Sequence, residues 1–277
     1  MRRVLVLAAV VMLLVTGCSN PRSGSLGAAP TLAPSGPAGT FTPPNVADPV
    51  RPGTITIQLW FTRDDRLSPT RRTRPATLAT SRLSLTELTA GPSPAESRAG
   101  LTTGLSAETP FTIEGISGGV ETVRFGPAFY TGGSAAARLR QAQVVYTLTQ
   151  FPTVSRVRFT ADGQPAGAPV GRGEYADLLP PVVVLDPVIG QRVTSPITVT
   201  GTADVFEATV NARLLDADGK QIATAFTTAS CGSGCRGDFR IRLPYKSGGG
   251  VATVETYWVS PKDGSRRDVV SVPVRLG

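Results

Sequence analysis

Phe111-Thr112-Ile113-Glu114-Gly115-Ile116-Ser117-Gly118-Gly119-Val120-Glu121-Thr122-Val123-Arg124-Phe125 is the stretch on which the fold of the first half turns. Two runs, Phe111 to Ile116 and Val120 to Phe125, flank Gly118-Gly119, and glycine supplies the positive φ of a tight hairpin. A helix is expected next, capped by Ser134, with an apolar stripe of Leu139, Ala142, Val145 and Tyr146 widened by Val144 and Leu148. Phe151-Pro152 ends it, because the residue before proline is biased away from helix. Val154 to Thr160 reads as a strand closed by Asp162-Gly163. Upstream, Ile55, Ile57, Leu59 and Phe61 alternate along a strand. Leu78, Ser81, Leu85 and Leu88 recur at helical spacing and stop at Gly91-Pro92, and Ser93-Pro94-Ala95-Glu96 has the form of a capping box. The order strand, helix, short helix, hairpin, helix, strand predicts an α+β domain over 54–165, with helices on one side of a small sheet.

Downstream the pattern changes. From about Pro180 there is no convincing helix, and seven short runs follow: Val182–Leu185, Ile197–Ala203, Ala208–Leu215, Ile222–Thr228, Asp238–Leu243, Val251–Val259 and Asp268–Leu276. Phe239, Ile241 and Leu243 alternate with Arg240 and Arg242, as do Val270, Val272, Val274 and Leu276 with Ser271, Pro273 and Arg275. Asp218-Gly219 is a hairpin signal, Pro261-Lys262-Asp263-Gly264 a turn cluster, and Pro273 marks an edge strand. An all-β immunoglobulin-like sandwich over 180–277 is expected.

The 277-residue chain is 40% apolar and only 17% charged, with a formal charge of +8. Lysine occurs only at Lys220, Lys246 and Lys262, so arginine supplies nearly all the positive charge, as coding bias toward GC also would. The positives are scattered without interleaved aromatics, which argues against nucleic acid as partner. Histidine is absent, which removes histidine-dependent triads and the commonest metal ligand. With three cysteines in all, a zinc site of four Cys/His ligands is excluded. No cofactor and no metal are expected.

Met1-Arg2-Arg3 followed by the apolar run Val4 to Val15 has the form of a secretory leader over 1–17, too short to span a bilayer. Leu14-Val15-Thr16-Gly17-Cys18 resembles the bacterial lipobox. The resemblance implies diacylglycerol on the Cys18 thiol and cleavage after Gly17, and two acyl chains make a stable anchor. The protein would then sit on the extracytoplasmic face of the cell membrane, with a mature charge of +6 once Arg2 and Arg3 are removed. A plain signal peptide with an incidental cysteine is the alternative. Residues 18–53 hold eight prolines among Gly, Ala, Ser and Thr, and read as a tether reaching about 30 Å as a coil and about 100 Å as polyproline II. Cys231 and Cys235 remain as an even pair in an exported chain, and a structural disulfide across Gly232-Ser233-Gly234 is expected rather than a redox dithiol.

Gly100-Leu101, Gly104-Leu105, Gly115-Ile116-Ser117-Gly118-Gly119-Val120-Glu121-Thr122-Val123, Gly133-Ser134-Ala135-Ala136-Ala137-Arg138-Leu139 and the run Gln143 to Pro152 resemble the GerMN domain of sporulation and germination lipoproteins. Ser195 to Ala203 and Val205-Phe206-Glu207-Ala208 resemble the immunoglobulin-like domain that commonly follows it. The resemblance implies an envelope lipoprotein and brings no catalytic residue set. Asp64-Asp65-Arg66 through Arg74 matches no motif of that family.

Within that stretch Arg71, Arg72 and Arg74 form an arginine cluster with Arg63 and Arg66 nearby. It suits a carboxylate or phosphate of a wall polymer, although a solvated loop is the favoured reading, because such patches are common without a ligand. Asp216-Ala217-Asp218-Gly219 resembles the start of a calcium loop but lacks its terminal glutamate, so a turn is expected. Asp64-Asp65 and Glu207 are candidate carboxylates for glycan hydrolysis if the fold brings them together. The expected function is a non-catalytic, lipid-anchored envelope module recruiting a protein or an anionic wall polymer. The alternatives are a wall-glycan or peptide hydrolase, marked by paired carboxylates in a cleft, and a transporter-linked solute receptor, marked by a pocket between two α/β lobes.

Overall fold

The structure is a computed structural model that describes residues 53–246 and 248–277. The expected leader, Cys18 and most of the tether lie outside the described residues. Strands β1 (Thr54–Arg63) and β2 (Arg66–Pro75) form an antiparallel hairpin. Helices α1 (Thr80–Ala90) and α2 (Pro94–Arg98) follow, then β3 (Phe111–Ser117), β4 (Val120–Phe125), α3 (Gly133–Leu148), β5 (Arg156–Ala161) and β6 (Gln164–Pro165). Strands β3 to β6 make a four-stranded sheet in sequence order, antiparallel at β3–β4 and parallel at β4–β5, where α3 is the crossover. The β3–β4 turn has positive φ at Gly118 (56°) and Gly119 (78°), the conformation its glycines predict.

Helix α3 holds the two sheets together. Val144, Val145 and Leu148 are buried, and Tyr146 packs on Trp60 of β1 at 4.8 Å between ring centroids. The same helix and the turn after it carry a largely buried polar stripe. Gln143 donates to the Trp60 carbonyl, the Trp60 N–H donates to Thr147, and Gln150 both accepts from the Gln58 N–H and donates to its carbonyl. These side chains satisfy backbone groups along an edge of β1 that β2 does not pair, which a buried strand requires. Two details depart from the sequence reading. Gly132 in a left-handed conformation precedes α3 and Ser134 lies inside it; Leu78 lies before α1 and is fully exposed.

The second body has the seven predicted strands and one short addition: β7 (Val182–Asp186), β8 (Arg192–Val193), β9 (Ile197–Ala203), β10 (Thr209–Leu215), β11 (Gln221–Thr228), β12 (Gly237–Leu243), β13 (Gly250–Val259) and β14 (Arg266–Leu276). Sheets of order β11-β10-β13-β14-β8 and β12-β9-β7 close on a core that includes Val199, Val210, Leu214, Ile241, Val254 and Val274. Burial alternates strictly along β9, β10 and β12, as expected for strands with one wet face. Pro273 pairs with Thr253 of β13, and its carbonyl accepts from Gly190 on the other side. Contrary to the edge position that Pro273 suggests, β14 lies between β13 and the two-residue β8, which pairs only at Arg275 and Leu276; the missing N–H of Pro273 points away from β13, where little pairing is lost.

The two bodies touch through β7. Val182 and Val184 face the sandwich core, whereas Val183 packs into the core of the first domain. Burial on both faces explains why this strand is a continuous apolar run. Residues 166–179, left outside both predicted domains, pack against the first domain: Val170 bridges to Val157, and Tyr175 in the 3₁₀ turns of Arg172–Leu178 is buried in its core.

Candidate functional site

A groove of about 500 Å³ runs where the first domain meets the sandwich. The β1–β2 turn supplies Arg63, Asp64 and Arg66, the connection supplies Asp177 and Pro180-Pro181, β7 supplies Val182 to Val184, and β14 supplies Asp268 to Val270. The volume is that of an ordinary ligand cleft. Its walls mix apolar and charged side chains and are rich in proline, with Pro69 and Pro187 adding to Pro180 and Pro181. Proline fixes φ, so this wall is stiff.

The charges in the groove are mixed. Arg236 donates to the carbonyls of Pro180 and Thr202, and among the described residues no carboxylate lies within ion-pair distance of it. Burial holds its guanidinium below the usual arginine range, with partial relief from Asp204. Arg63 is likewise lowered by burial, partly offset by Asp64; its Nε is buried without a hydrogen bond, and Nη1 reaches only the Ser271 carbonyl at 3.4 Å. Arg66 donates to the Asp177 and Leu179 carbonyls. Of the acids, Asp177 is held low by the Arg138 guanidinium hydrogen-bonded to it, and Asp268 accepts from the Trp258 indole. Partly desolvated cations beside aspartates and apolar side chains suit a polypeptide segment. A polyanion would meet the four aspartates as repulsion.

The arginine cluster, a candidate anion site or solvated loop by sequence, is placed differently from either. Arg66 to Pro75 is a strand rather than a loop, and each of the three guanidinium groups already meets a carboxylate. Arg71 pairs with Asp186, Arg72 with Glu96, and Arg74 with Glu87 through two bonds of 2.6 and 2.7 Å. Arg72 is thus an internal brace: Glu96 is buried and also accepts from Thr70 and from the Ser93 N–H of its capping box. Arg71 ties the first domain to the sandwich. The cluster therefore offers no patch of free cations, because its positive charge is met within the chain.

Cys231 and Cys235 are joined by a disulfide in the β11–β12 loop. Asp216 accepts from the Asp218 and Lys220 N–H groups, which makes the Asp-Gly segment a hairpin turn. Asp64 and Asp65 sit at the β1–β2 turn, while Glu207 lies in the turn before β10 with its N–H on Ser233 and does not line the groove. The three carboxylates are therefore not gathered. Among the described residues, no group of three or more Cys, Asp or Glu is arranged to hold a metal, and no helix is long and apolar enough to cross a membrane.

Comparison with known proteins follows the same division. Residues 58–167 match the family described as sporulation and spore germination, and residues 181–265 match the immunoglobulin-like domain of bacterial spore germination. No curated protein matches the chain. Among solved structures, the tandem GerMN domains of the sporulation protein GerM from Bacillus subtilis are 14% identical, with a TM-score of 0.38 over 69% of this chain and 62% of that one. The first GerMN domain of that protein is 20% identical, with a TM-score of 0.34 over 43% of this chain and 95% of that one.

Proposed function

This chain carries a sporulation and spore germination domain followed by the immunoglobulin-like domain of bacterial spore germination, and from that pairing we propose that it is a non-catalytic binding lipoprotein of the cell envelope. A diacylglycerol on Cys18 would hold it at the extracytoplasmic face of the membrane, and the segment 18–53 would stand the two domains off the surface. The groove between the domains receives an extended segment of a protein partner.

The observation that carries this reading is the groove itself: an apolar, proline-braced floor with Arg63 and Arg236 partly desolvated above it. Such groups gain by meeting carboxylate or carbonyl oxygens, and an apolar floor gains by excluding water. No reaction is assigned. The chain has no histidine, and its candidate carboxylates are dispersed.

The test uses single cysteines and a membrane-impermeant maleimide. Val269 is an exposed apolar residue of the groove, and Phe226 is exposed on β11. In intact cells Phe226→Cys is labelled and Val269→Cys is protected, while both react in the purified protein. Equal labelling of the two in cells removes the groove as an occupied site. Protection of both removes the extracytoplasmic location. Metabolic labelling with an alkyne fatty acid tests the anchor: the parent chain is marked and Cys18→Ser is not.

A further inference from the structure

Glu121 is a buried carboxylate with no role in the groove. It is the second residue of β4, its neighbours on the same face are Val123 and Phe125, and its residue exposure is zero. Neither carboxyl oxygen accepts a hydrogen bond of proper geometry, although the Ser81 hydroxyl is near enough to favour the charged form slightly. Even a neutral carboxyl buried this way forfeits the hydrogen bonds that water would give it. Elsewhere in the chain, the buried Glu96 is met by Arg72, Thr70 and Ser93. The fold therefore does satisfy an interior carboxylate where it uses one as a brace.

Glu121 is closed off from solvent but stands directly behind a cavity wall. It borders a second cleft of about 440 Å³, formed by the start of α1 (Thr80, Ser81, Arg82), the outer strand β3 (Ile113, Gly115, Ile116), Thr153 and Leu78. Two of the large apolar residues that remain exposed lie at this cleft: Leu78, entirely exposed, and Ile116, 46% exposed. Arg82 is the one cation on the lining, and it makes no ion pair with Glu121. An unmet carboxylate at the closed end, with bare aliphatic side chains at the mouth, is complementary to a long side chain that is apolar along its stem and cationic at its tip.

We propose that this cleft is a second binding site, which takes a lysine or arginine side chain of a polypeptide partner, with Glu121 receiving the cationic head and Leu78 and Ile116 covering the flanking apolar residues. The site lies on α1, β3 and β4 and shares no residue with the interdomain groove, so the two can be tested apart. A cationic head brings its own hydrogen-bond donors to both carboxylate oxygens. Lysine and arginine stems also bury readily against aliphatic surface, which a metal ion or a small amine does not exploit.

The experiment is selection of random peptides on the complete chain, with Glu121→Gln and Leu78→Ala as parallel targets. Leu78→Ala changes a fully exposed side chain, so it leaves folding untouched even if Glu121→Gln does not. The expected result is a basic residue fixed at one position between apolar neighbours. Replacing that residue by norleucine weakens binding by about tenfold or more, the scale of a charge-assisted hydrogen bond. Glu121→Gln removes the preference for the basic residue, and Leu78→Ala weakens every selected peptide alike. The proposal is overturned if no peptide is enriched, if enriched peptides lack a basic residue, or if they bind Glu121→Gln equally well. It is also overturned if magnesium or calcium alone shifts the carboxyl NMR signal of Glu121 while the peptides do not.

Discussion

Glu96→Ala is the substitution whose consequence the structure fixes most closely. Glu96 is 2% exposed and accepts from Arg72 through both terminal nitrogens, from the Thr70 hydroxyl at 2.5 Å and from the Ser93 N–H at 2.8 Å. Removing it leaves a guanidinium only 13% exposed, a buried threonine hydroxyl and a helix-start N–H without that acceptor. Breaking one side of such a pair costs about 3–5 kcal/mol, because the guanidinium stays buried with only the Glu87 carboxylate, 4.0 Å away, to meet it. At about 2–4 °C per kcal/mol for a chain of this size, the midpoint falls by roughly 6–20 °C. Trp60 lies in the core of the affected domain, so its fluorescence in a Trp258→Phe background follows unfolding of that domain alone. The double variant Arg72→Met, Glu96→Leu loses less than Glu96→Ala, since no unpaired charge remains. Acid supplies an independent reading. Burial alone would raise the Glu96 pKa, but the bonds from Arg72, Thr70 and Ser93 outweigh it and hold the group below its ordinary 4.5. A lowered folded pKa gives stability that is present above about pH 4.5 and lost as pH falls through the folded value, and Glu96→Ala lacks that loss. A cost below about 1 kcal/mol, the scale of an exposed pair, together with an unchanged acid limb, refutes the assignment of Glu96 as an internal brace.

Three further outcomes follow from single positions. Gly201 lies in the middle of β9, and a Cβ there would come within 1.9 Å of the Val183 carbonyl and 2.8 Å of the Phe239 ring; Gly201→Ala lowers stability by about 1–3 kcal/mol or more in urea unfolding read from Trp258, and a neutral effect contradicts the packing of β9 against β7 and β12. Burial raises the Glu121 pKa above 4.5, a raised folded pKa gives stability that is lost as pH rises through it, and so the stability of Glu121→Gln relative to the parent grows as pH rises above about 4.5; parallel pH profiles contradict an unmet carboxylate. Cys231→Ser with Cys235→Ser opens a short loop and costs about 2 kcal/mol on the chain-entropy estimate, seen in thermal unfolding under oxidising conditions and absent when the parent is measured reduced.

Legibility followed the strength of local patterns. Strands β9, β10 and β12 were readable because each alternates, β7 because it is a short apolar run, and the β3–β4 hairpin because Gly118-Gly119 leaves few other conformations. Strand β2 was not readable: it holds four arginines, and among its apolar side chains only Leu67 is fully buried, so its strand character comes from pairing with β1 and from acids on α1, α2 and β7. That long-range pairing is also why Arg71, Arg72 and Arg74 looked available. The groove residues Asp177, Arg236 and Val269 are far apart in sequence and gave no local signal. Two features were visible in principle. Gln143, Thr147 and Gln150 recur at helical spacing beside the apolar stripe of α3, and Glu121 shares the period-two face of Val123 and Phe125, which places it in the interior.

The claim that the interdomain groove holds a protein partner is tested most directly by a photo-crosslinking side chain at Val269 in living cells, with the same group at Phe226 for comparison. The account predicts one discrete adduct from Val269, absent from Phe226 and lost when Arg66→Glu is added to the groove. Adducts of the same pattern from both positions, or none from Val269, contradict it.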